Sequence, residues 1–140
     1  MVDMHHSVKI EAPIGKVYSA ITTEDGLKNW WTRDVKINSS DKTIVLGFNN
    51  HTAILKMRIN NHVPDRSINW TCLGNAEEWK DTELSFELQS TENGTTLSFS
   101  HSKWRMISPY YEMVNRTWGQ LMVLLKQYCE GKKDGSFNWS

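Results

Sequence analysis

The stretch that decides the fold is residues 108–131, which read SPYYEMVNRTWGQLMVLLKQYCEG. It begins with Ser108, a favourable N-cap, and Pro109, which suits the first position of a helix. Gly131 is a natural C-terminal stop. The stretch therefore predicts one long amphipathic helix, whose apolar face must be buried against a sheet. The residues that share this face, at spacings of three and four, are Trp118, Leu121, Met122, Leu125 and Cys129.

The middle of the chain alternates apolar and polar residues with the period of two that is typical of antiparallel strands. Asn49-Asn50, Pro64-Asp65 and Asn93-Gly94 mark turns, and the last of these pairs is typical of a type I′ hairpin. The alternating segments are residues 7–12, 35–37, 44–48, 53–59, 68–72, 84–88 and 97–101.

Two short helices are predicted after the first strand. One would begin at Pro13 and run to Thr22. The other would follow an N-cap at Thr23 and end near Trp30, although Gly26 within it is a poor helix former. The order of elements predicts an α+β fold in which a curved antiparallel sheet of about six or seven strands wraps around the long helix. The two short helices would close one end of the space between sheet and helix.

Length and charge narrow the possible functions. The chain has 140 residues, and its 16 Lys and Arg balance its 16 Asp and Glu. We expect one domain over residues 1–140, with a core at about 7–131 and a C-terminal tail at 132–140. A net charge of zero removes the long-range field on which nucleic-acid binding depends, so no nucleic-acid partner is expected.

Neither a membrane span nor a secretion signal is predicted. No segment approaches the roughly 20 apolar residues that cross a bilayer. Residues 1–7 lack the apolar core of a signal peptide. We therefore expect a cytoplasmic protein without membrane insertion, in which Cys72 and Cys129 are reduced, buried thiols.

Three segments of the chain resemble the START-like (SRPBCC, birch-pollen-allergen-like) helix-grip superfamily. Within it, the chain is most similar to the domain shared with activators of the Hsp90 ATPase. The resemblance covers about residues 8–131, whereas residues 39–48 match poorly. Full-length eukaryotic activators carry an additional N-terminal domain, which is not expected here. The segments are IEAPIGKVYSAIT (10–22) with LKNWW (27–31), GTTLSFSHS (94–102), and WGQLMVLLK (118–126) followed by Glu130-Gly131.

The resemblance implies an interior cavity for apolar or amphipathic small molecules such as lipids, sterols, polyketides or plant hormones. Some members of the superfamily are enzymes, such as aromatase/cyclases, and others bind protein clients. Our preferred hypothesis is a non-catalytic protein that binds a small hydrophobic or amphipathic ligand. The alternatives are a chaperone-associated interaction module and a cyclase- or hydrolase-like enzyme.

His101 is the polar residue of most interest, because alternation places it on an inward face with Leu97 and Phe99. A histidine inside a cavity could bind a ligand carbonyl or act as a general acid or base. A histidine held by backbone or water at a strand end is the simpler interpretation. Catalysis would also need a second polar group, which the sequence does not identify. No catalytic residue is assigned, and His101 is the one candidate.

Seven tryptophans in one small domain could wall a pocket or simply fill a core. Periodicity places Trp70 and Trp118 in the interior, whereas Trp79 and Trp104 flank loops and are candidates for a cavity mouth. The residues predicted to bind the ligand are Trp31, Leu55, Met57, Trp70, Phe86, Phe99, His101, Trp118 and Met122.

No metal or cofactor is expected. The histidines outside the inward face, at positions 5, 6, 51 and 62, lack the spacing of metal ligands. Cys72 has no base close to it in sequence, which favours a buried thiol over a nucleophile. The carboxylates within residues 77–83 are interpreted as a solvated rim rather than as an acid–base pair.

Overall fold

The computed structural model describes residues 2–74 and 77–132 of the chain. The strands form one antiparallel sheet in the order β1-β7-β6-β5-β4-β3-β2. The predicted α+β helix-grip fold is confirmed, with seven strands in the described residues; the predicted tail lies outside them from residue 133. The elements are β1 (Val2–Ile10), α1 (Ile14–Thr22), α2 (Glu24–Trp30), β2 (Asp34–Asn38), β3 (Thr43–Phe48), β4 (Ala53–Val63), β5 (Ser67–Gly74), β6 (Glu83–Thr91), β7 (Gly94–Trp104) and α3 (Pro109–Cys129).

The long helix α3 begins as the sequence predicts. The backbone N–H of Tyr111 donates to Ser108 Oγ at 3.1 Å, and Pro109 lies in the first turn. Glu112 places a negative charge in that turn, where the helix dipole favours it. The buried residues of α3 are Tyr111, Val114, Trp118, Leu121, Met122, Leu125 and Cys129.

The helix also ends at the predicted signal. The N–H of Lys132 donates to the carbonyl of Gln127 at 2.9 Å, and the N–H of Gly131 donates to the carbonyl of Tyr128 at 3.1 Å. Gly131 has a φ of 81°, which glycine adopts without strain. These are the two hydrogen bonds of a Schellman motif. The last helical residue is Cys129, Glu130 is the C-cap, and Gly131 follows it.

The two short helices pack against each other through a glycine. The hydroxyl of Thr23 caps α2 by accepting the N–H of Gly26 at 2.9 Å. A Cβ on Gly26 would lie 2.6 Å from the Cα and the carbonyl oxygen of Ala20 in α1. Gly26 is a poor helix former, but the close contact of the two helices requires a residue without a Cβ at this position. Trp30 completes this contact, since its indole N–H donates to the Ala20 carbonyl at 2.9 Å.

Strand β1 begins earlier and ends sooner than the predicted segment 7–12. Met4 is buried, and the inward side chain of His6 breaks the apolar pattern. Its Nε2 lies 2.8 Å from Asn115 Oδ1 on α3. A hydrogen-bonded histidine thus occupies an inward position that hydropathy alone assigns to solvent.

The turn between β6 and β7 corrects one prediction. Thr91 pairs with Gly94, so the two turn residues are Glu92 and Asn93. Neither has the positive φ that a type I′ turn requires at both central positions. The hairpin is confirmed, but the predicted turn type is wrong. Gly94 itself has a φ of 156° and passes so close to β1 that a Cβ would lie 2.1 Å from the carbonyl oxygen of Ile10.

A β-bulge near the end of β7 directs Trp104 into the core. Lys103 has a φ of 68°, and the register between β1 and β7 shifts at this point. Trp104 is 2% exposed, and its ring centroid lies 4.9 Å from that of His101 and 5.5 Å from that of Tyr111. The prediction that Trp104 lies at a cavity mouth is therefore wrong: it was based on the loop that follows Trp104, whereas the bulge turns this side chain into the core.

The core lies between the inner face of the sheet and the buried sides of the three helices. Cys72 and Cys129 are both buried and free, as predicted. Within residues 2–74 and 77–132, none of the helices combines the length and the apolar composition that crossing a bilayer requires.

Candidate functional site

A cavity of about 230 Å³ lies between the first half of α3, the β3–β4 hairpin and the loop before β6. Its wall is almost wholly apolar, and none of the described residues that line it carries a charge. The lining residues are Trp31, Phe48, Ala53, Ile54, Leu55, Trp79, Tyr110, Met113, Val114, Thr117, Trp118 and Leu121.

Three tryptophans from different parts of the chain meet at this cavity. The ring centroid of Trp118 lies 5.1 Å from that of Trp31 and 6.3 Å from that of Trp79. The indole N–H of Trp79 donates to the hydroxyl of Tyr110 at 2.7 Å, which ties the loop before β6 to the start of α3. The cavity is therefore walled by aromatic faces that a hydrogen bond holds together.

The nine residues predicted to bind a ligand separate into two groups. Trp31, Leu55 and Trp118 line the cavity. The other six are buried in the core and do not line it: Met57, Trp70, Phe86, Phe99, His101 and Met122.

Close packing of aromatic rings explains this separation. The ring centroids of Phe99 and Trp118 are 4.3 Å apart, those of Phe86 and Phe99 are 4.9 Å apart, and those of Trp70 and Phe86 are 5.2 Å apart. These rings fill the centre of the space between sheet and helix. The open volume is consequently displaced toward the first half of α3.

The sequence did contain a signal for part of this wall. Counting back from Trp118 in two steps of four reaches Val114 and Tyr110, so the apolar face continues about two turns beyond Trp118 toward the N-terminus of the helix. Trp79, predicted at the mouth, does line the cavity. The lining residues that were not predicted are Phe48, Ala53, Ile54, Tyr110, Met113, Val114, Thr117 and Leu121.

His101 is fully buried, and both of its ring nitrogens have partners. The indole N–H of Trp118 donates to Nδ1 at 3.1 Å, so Nδ1 is the acceptor and Nε2 carries the proton. Nε2 then donates to Thr82 Oγ1 at 2.8 Å, and Thr82 in turn donates to the carbonyl of Trp79 at 2.6 Å. The result is a continuous chain of buried hydrogen bonds that links α3, β7 and the loop before β6.

This environment keeps the imidazole neutral. Burial lowers the pKa of His101 from 6.5 to about 3, because a charged ring would lose its hydration without gaining an opposite charge. With neither nitrogen available and no place on the cavity wall, His101 lacks the access that a general acid or base needs. Its position supports the simpler interpretation of a structural histidine.

The hydrogen-bonded chain predicts that acid destabilises the protein through His101. Below about pH 6.5 the unfolded chain takes up a proton that the folded protein does not. The free energy of unfolding should therefore fall as the pH is lowered from 6.5 toward 3, by about 1.4 kcal/mol per pH unit from this residue. Urea denaturation at several pH values between 6.5 and about 5 measures this slope.

His101→Gln is the matched variant, because an amide can accept from Trp118 and donate to Thr82 without titrating. The fall in unfolding free energy with decreasing pH should be less steep in this variant by about 1.4 kcal/mol per pH unit, the contribution of one proton, because all other titratable groups are the same in the two proteins. Equal slopes in the two proteins would show that His101 is not held neutral.

The remaining candidate groups have no catalytic arrangement. Burial raises the pKa of the Cys72 thiol to about 12, which disfavours the thiolate that a nucleophile requires. Glu77 and Glu78 are exposed, and Glu83 accepts from Lys103 Nζ at 2.7 Å. Among the residues that the structure describes, no three His, Cys, Asp or Glu side chains are placed to hold a metal ion.

The fold, with an apolar cavity between sheet and long helix, defines a START-like helix-grip protein. The sequence model of the Activator of Hsp90 ATPase homolog 1-like protein family matches residues 11–130. The chain belongs to this family. No curated protein matches the chain in sequence.

Solved structures agree with this assignment. The Aha1 dimer from Colwellia psychrerythraea is 34% identical, with a TM-score of 0.84 over 96% of this chain and 100% of that chain. A protein from Staphylococcus saprophyticus is 17% identical, with a TM-score of 0.77 over 99% of this chain and 100% of that one. DynU16, from the dynemicin biosynthetic locus, is 16% identical, with a TM-score of 0.79 over 99% of this chain and 51% of that chain. The last two likenesses concern the fold alone.

Proposed function

We propose that this protein binds a small apolar molecule in the cavity between α3, the β3–β4 hairpin and the loop before β6. The observation that carries the proposal is an apolar cavity of about 230 Å³ in which Trp31, Trp79 and Trp118 converge. Concave, mostly apolar sites with a few placed polar groups are the usual form of a small-molecule site. Both cysteines are free and buried, which fits action in a reducing compartment such as the cytoplasm.

The size of the cavity restricts the ligand. Sites for drug-sized ligands occupy roughly 300–1,000 Å³, so this cavity is smaller than that range. Of the ligands that the superfamily resemblance implies, a sterol or an intact phospholipid would not fit without rearrangement. A molecule of one or two rings is the better match.

Native mass spectrometry of the purified protein, with solvent extraction of anything released, is the first test. A stoichiometric apolar adduct would support the proposal and identify its chemical class. If the protein is free of adduct, titration with small aromatic molecules while recording tryptophan fluorescence provides the second readout, because three tryptophans line the cavity. A flat response to every molecule would contradict the proposal.

A cavity-filling variant tests the location of the site. Val114→Phe adds a ring inside the wall and should weaken binding at least tenfold, with a stability change of about 1–3 kcal/mol from overpacking. The matched control is Val123→Phe, since Val123 lies on the same helix but is 52% exposed. Equal affinities in these two variants would place the ligand elsewhere.

A second candidate function is a protein-interaction module, as the family description suggests. The observation that favours it is a group of exposed apolar side chains in and just before the first half of α3: Met106 at 62%, Ile107 at 60% and Met113 at 43%. Exposed apolar patches often mark sites of protein contact. Titration of the protein into an Hsp90 ATPase assay tests this candidate function. An unchanged rate of ATP hydrolysis at saturating protein would exclude it. Sedimentation would detect self-association, since the Colwellia relative was solved as a dimer.

A further inference from the structure

We propose that the hydroxyl of Tyr110 orients the bound molecule, and that this molecule is a neutral, planar aromatic compound carrying one hydrogen-bond acceptor such as a ketone carbonyl. The inference rests on the proposed function of the cavity and specifies its ligand. Its basis is the set of hydrogen bonds on the cavity wall.

Three donors on the wall are already committed within the protein. The indole N–H of Trp118 donates to His101, and that of Trp79 donates to Tyr110. The hydroxyl of Thr117 donates to the carbonyl of Met113 at 2.9 Å, within the helix. None of these protons is available to a ligand without breaking an existing bond.

Tyr110 is in a different position. Its hydroxyl oxygen accepts from Trp79 at 2.7 Å, and no described residue accepts its own proton. A hydroxyl that accepts one hydrogen bond becomes a stronger donor in the next, because the bonds polarise one another. An apolar cavity that presents such a donor selects a ligand with an acceptor, because a ligand that displaces water from the half-buried hydroxyl without accepting its proton would leave that donor unpaired.

The hydroxyl also stays protonated at neutral pH. Burial raises the pKa of Tyr110, the hydrogen bond from Trp79 lowers it, and the nearby negative charge of Glu78 raises it. Tyr110 is consequently a hydrogen-bond donor throughout the physiological range.

The charges around the cavity favour a neutral ligand. No Lys, Arg or His is among the described residues of the wall, so nothing there would compensate a carboxylate or a phosphate. The Glu78 carboxylate is close enough to affect Tyr110 and would repel an anion bound at the same hydroxyl. A carbonyl, which accepts a hydrogen bond without carrying charge, meets both conditions.

The tryptophan faces favour a planar ring. Trp31, Trp79 and Trp118 supply three aromatic surfaces within about 230 Å³. Aromatic pairs gain beyond their buried area when rings stack with an offset or meet edge to face. A flat ring system of one or two rings makes such contacts in a space that a bulky aliphatic molecule would fill poorly.

The experiment compares two probes of nearly equal shape by NMR titration or calorimetry. Methyl β-naphthyl ketone carries the acceptor, and β-isopropenylnaphthalene replaces the carbonyl oxygen with a methylene group. The wild type should bind the ketone more tightly. Tyr110→Phe keeps the ring and should weaken ketone binding about fivefold to tenfold, the effect of one hydrogen bond. Its affinity for the hydrocarbon should be unchanged.

The hydrocarbon is also the control for structural damage, because loosening of the Trp79–Tyr110 contact would weaken both probes. Tyr128→Phe, on the same helix but outside the cavity wall, should bind both probes as the wild type does. If Tyr110→Phe weakened the binding of both probes equally, or changed the affinity for neither, the proposed role of the hydroxyl would be overturned. Binding of β-naphthoate as tight as that of the ketone would overturn the preference for a neutral ligand. Failure of the wild type to bind any of the probes would count against the proposed function itself.

Discussion

Replacing Trp118 with alanine is expected to lower the free energy of unfolding by about 3–5 kcal/mol, the range for truncating a buried tryptophan. Trp118 is 1% exposed and lies between the cavity and the aromatic core. The change would remove ring contacts with Trp31 and Phe99 and would leave His101 Nδ1 without its donor. It should also abolish ligand binding, because one wall of the cavity disappears. Urea denaturation and probe titration measure the two effects.

Trp118→Phe separates packing from hydrogen bonding. Phenylalanine keeps an aromatic ring but lacks the N–H, so the expected loss is smaller, about 1–3 kcal/mol for an unpaired buried acceptor. Val123→Ala, at an exposed position of the same helix, should stay within about 0.5 kcal/mol of the wild type. A Trp118→Ala protein as stable as this control would be incompatible with a buried Trp118.

The second large effect is expected at Gly94. Gly94→Ala would bring a Cβ to 2.1 Å from the carbonyl oxygen of Ile10, a backbone atom that cannot move without displacing β1. The φ of 156° adds strain for any residue with a Cβ. We expect the free energy of unfolding to fall by about 3 kcal/mol. Amide hydrogen exchange should increase most in β1, the strand that the new Cβ displaces.

Gly74→Ala is the matched control for this prediction. Gly74 has a similar φ of 147°, but no atom of the described residues lies within 4 Å of the position of an added Cβ. Its substitution should therefore carry only the backbone strain, about 1 kcal/mol. If Gly74→Ala were as damaging as Gly94→Ala, the contact with β1 would not be the cause.

The parts of the fold governed by local chemistry could be predicted from the sequence. The N-cap of α3, its apolar spacing and its terminal glycine all act within a few residues, so the helix was predicted almost to its last residue. Alternation likewise placed His101 and Phe99 on the inner face of β7. The buried position of Trp104 was missed because its place beside a loop suggested a cavity mouth, and the bulge at Lys103 that turns it inward has no local sequence signal.

The position of the cavity could not be predicted in the same way. Whether Phe86 and Phe99 line an open space or close it depends on how rings from neighbouring strands meet, and no local pattern records that. The partners of His101 are also distant in sequence, since Thr82 and Trp118 come from a loop and a helix. The place of Tyr110 on the cavity wall could have been predicted, because Tyr110 continues the four-residue spacing of the apolar helical face.

The pairing of β1 with β7 has a consequence for synthesis of the chain. Val2 pairs with Trp104 and Ile10 with Thr95, so β1 leaves the ribosome well before the strand with which it pairs has been synthesised. Pairing of segments so far apart in sequence is slow, because a long loop must close before any contact is gained. Until then Met4 and Ile10 face solvent, and the nascent protein is open to aggregation at this strand. A chaperone that shields β1 during translation would raise the yield of folded protein without changing its final stability.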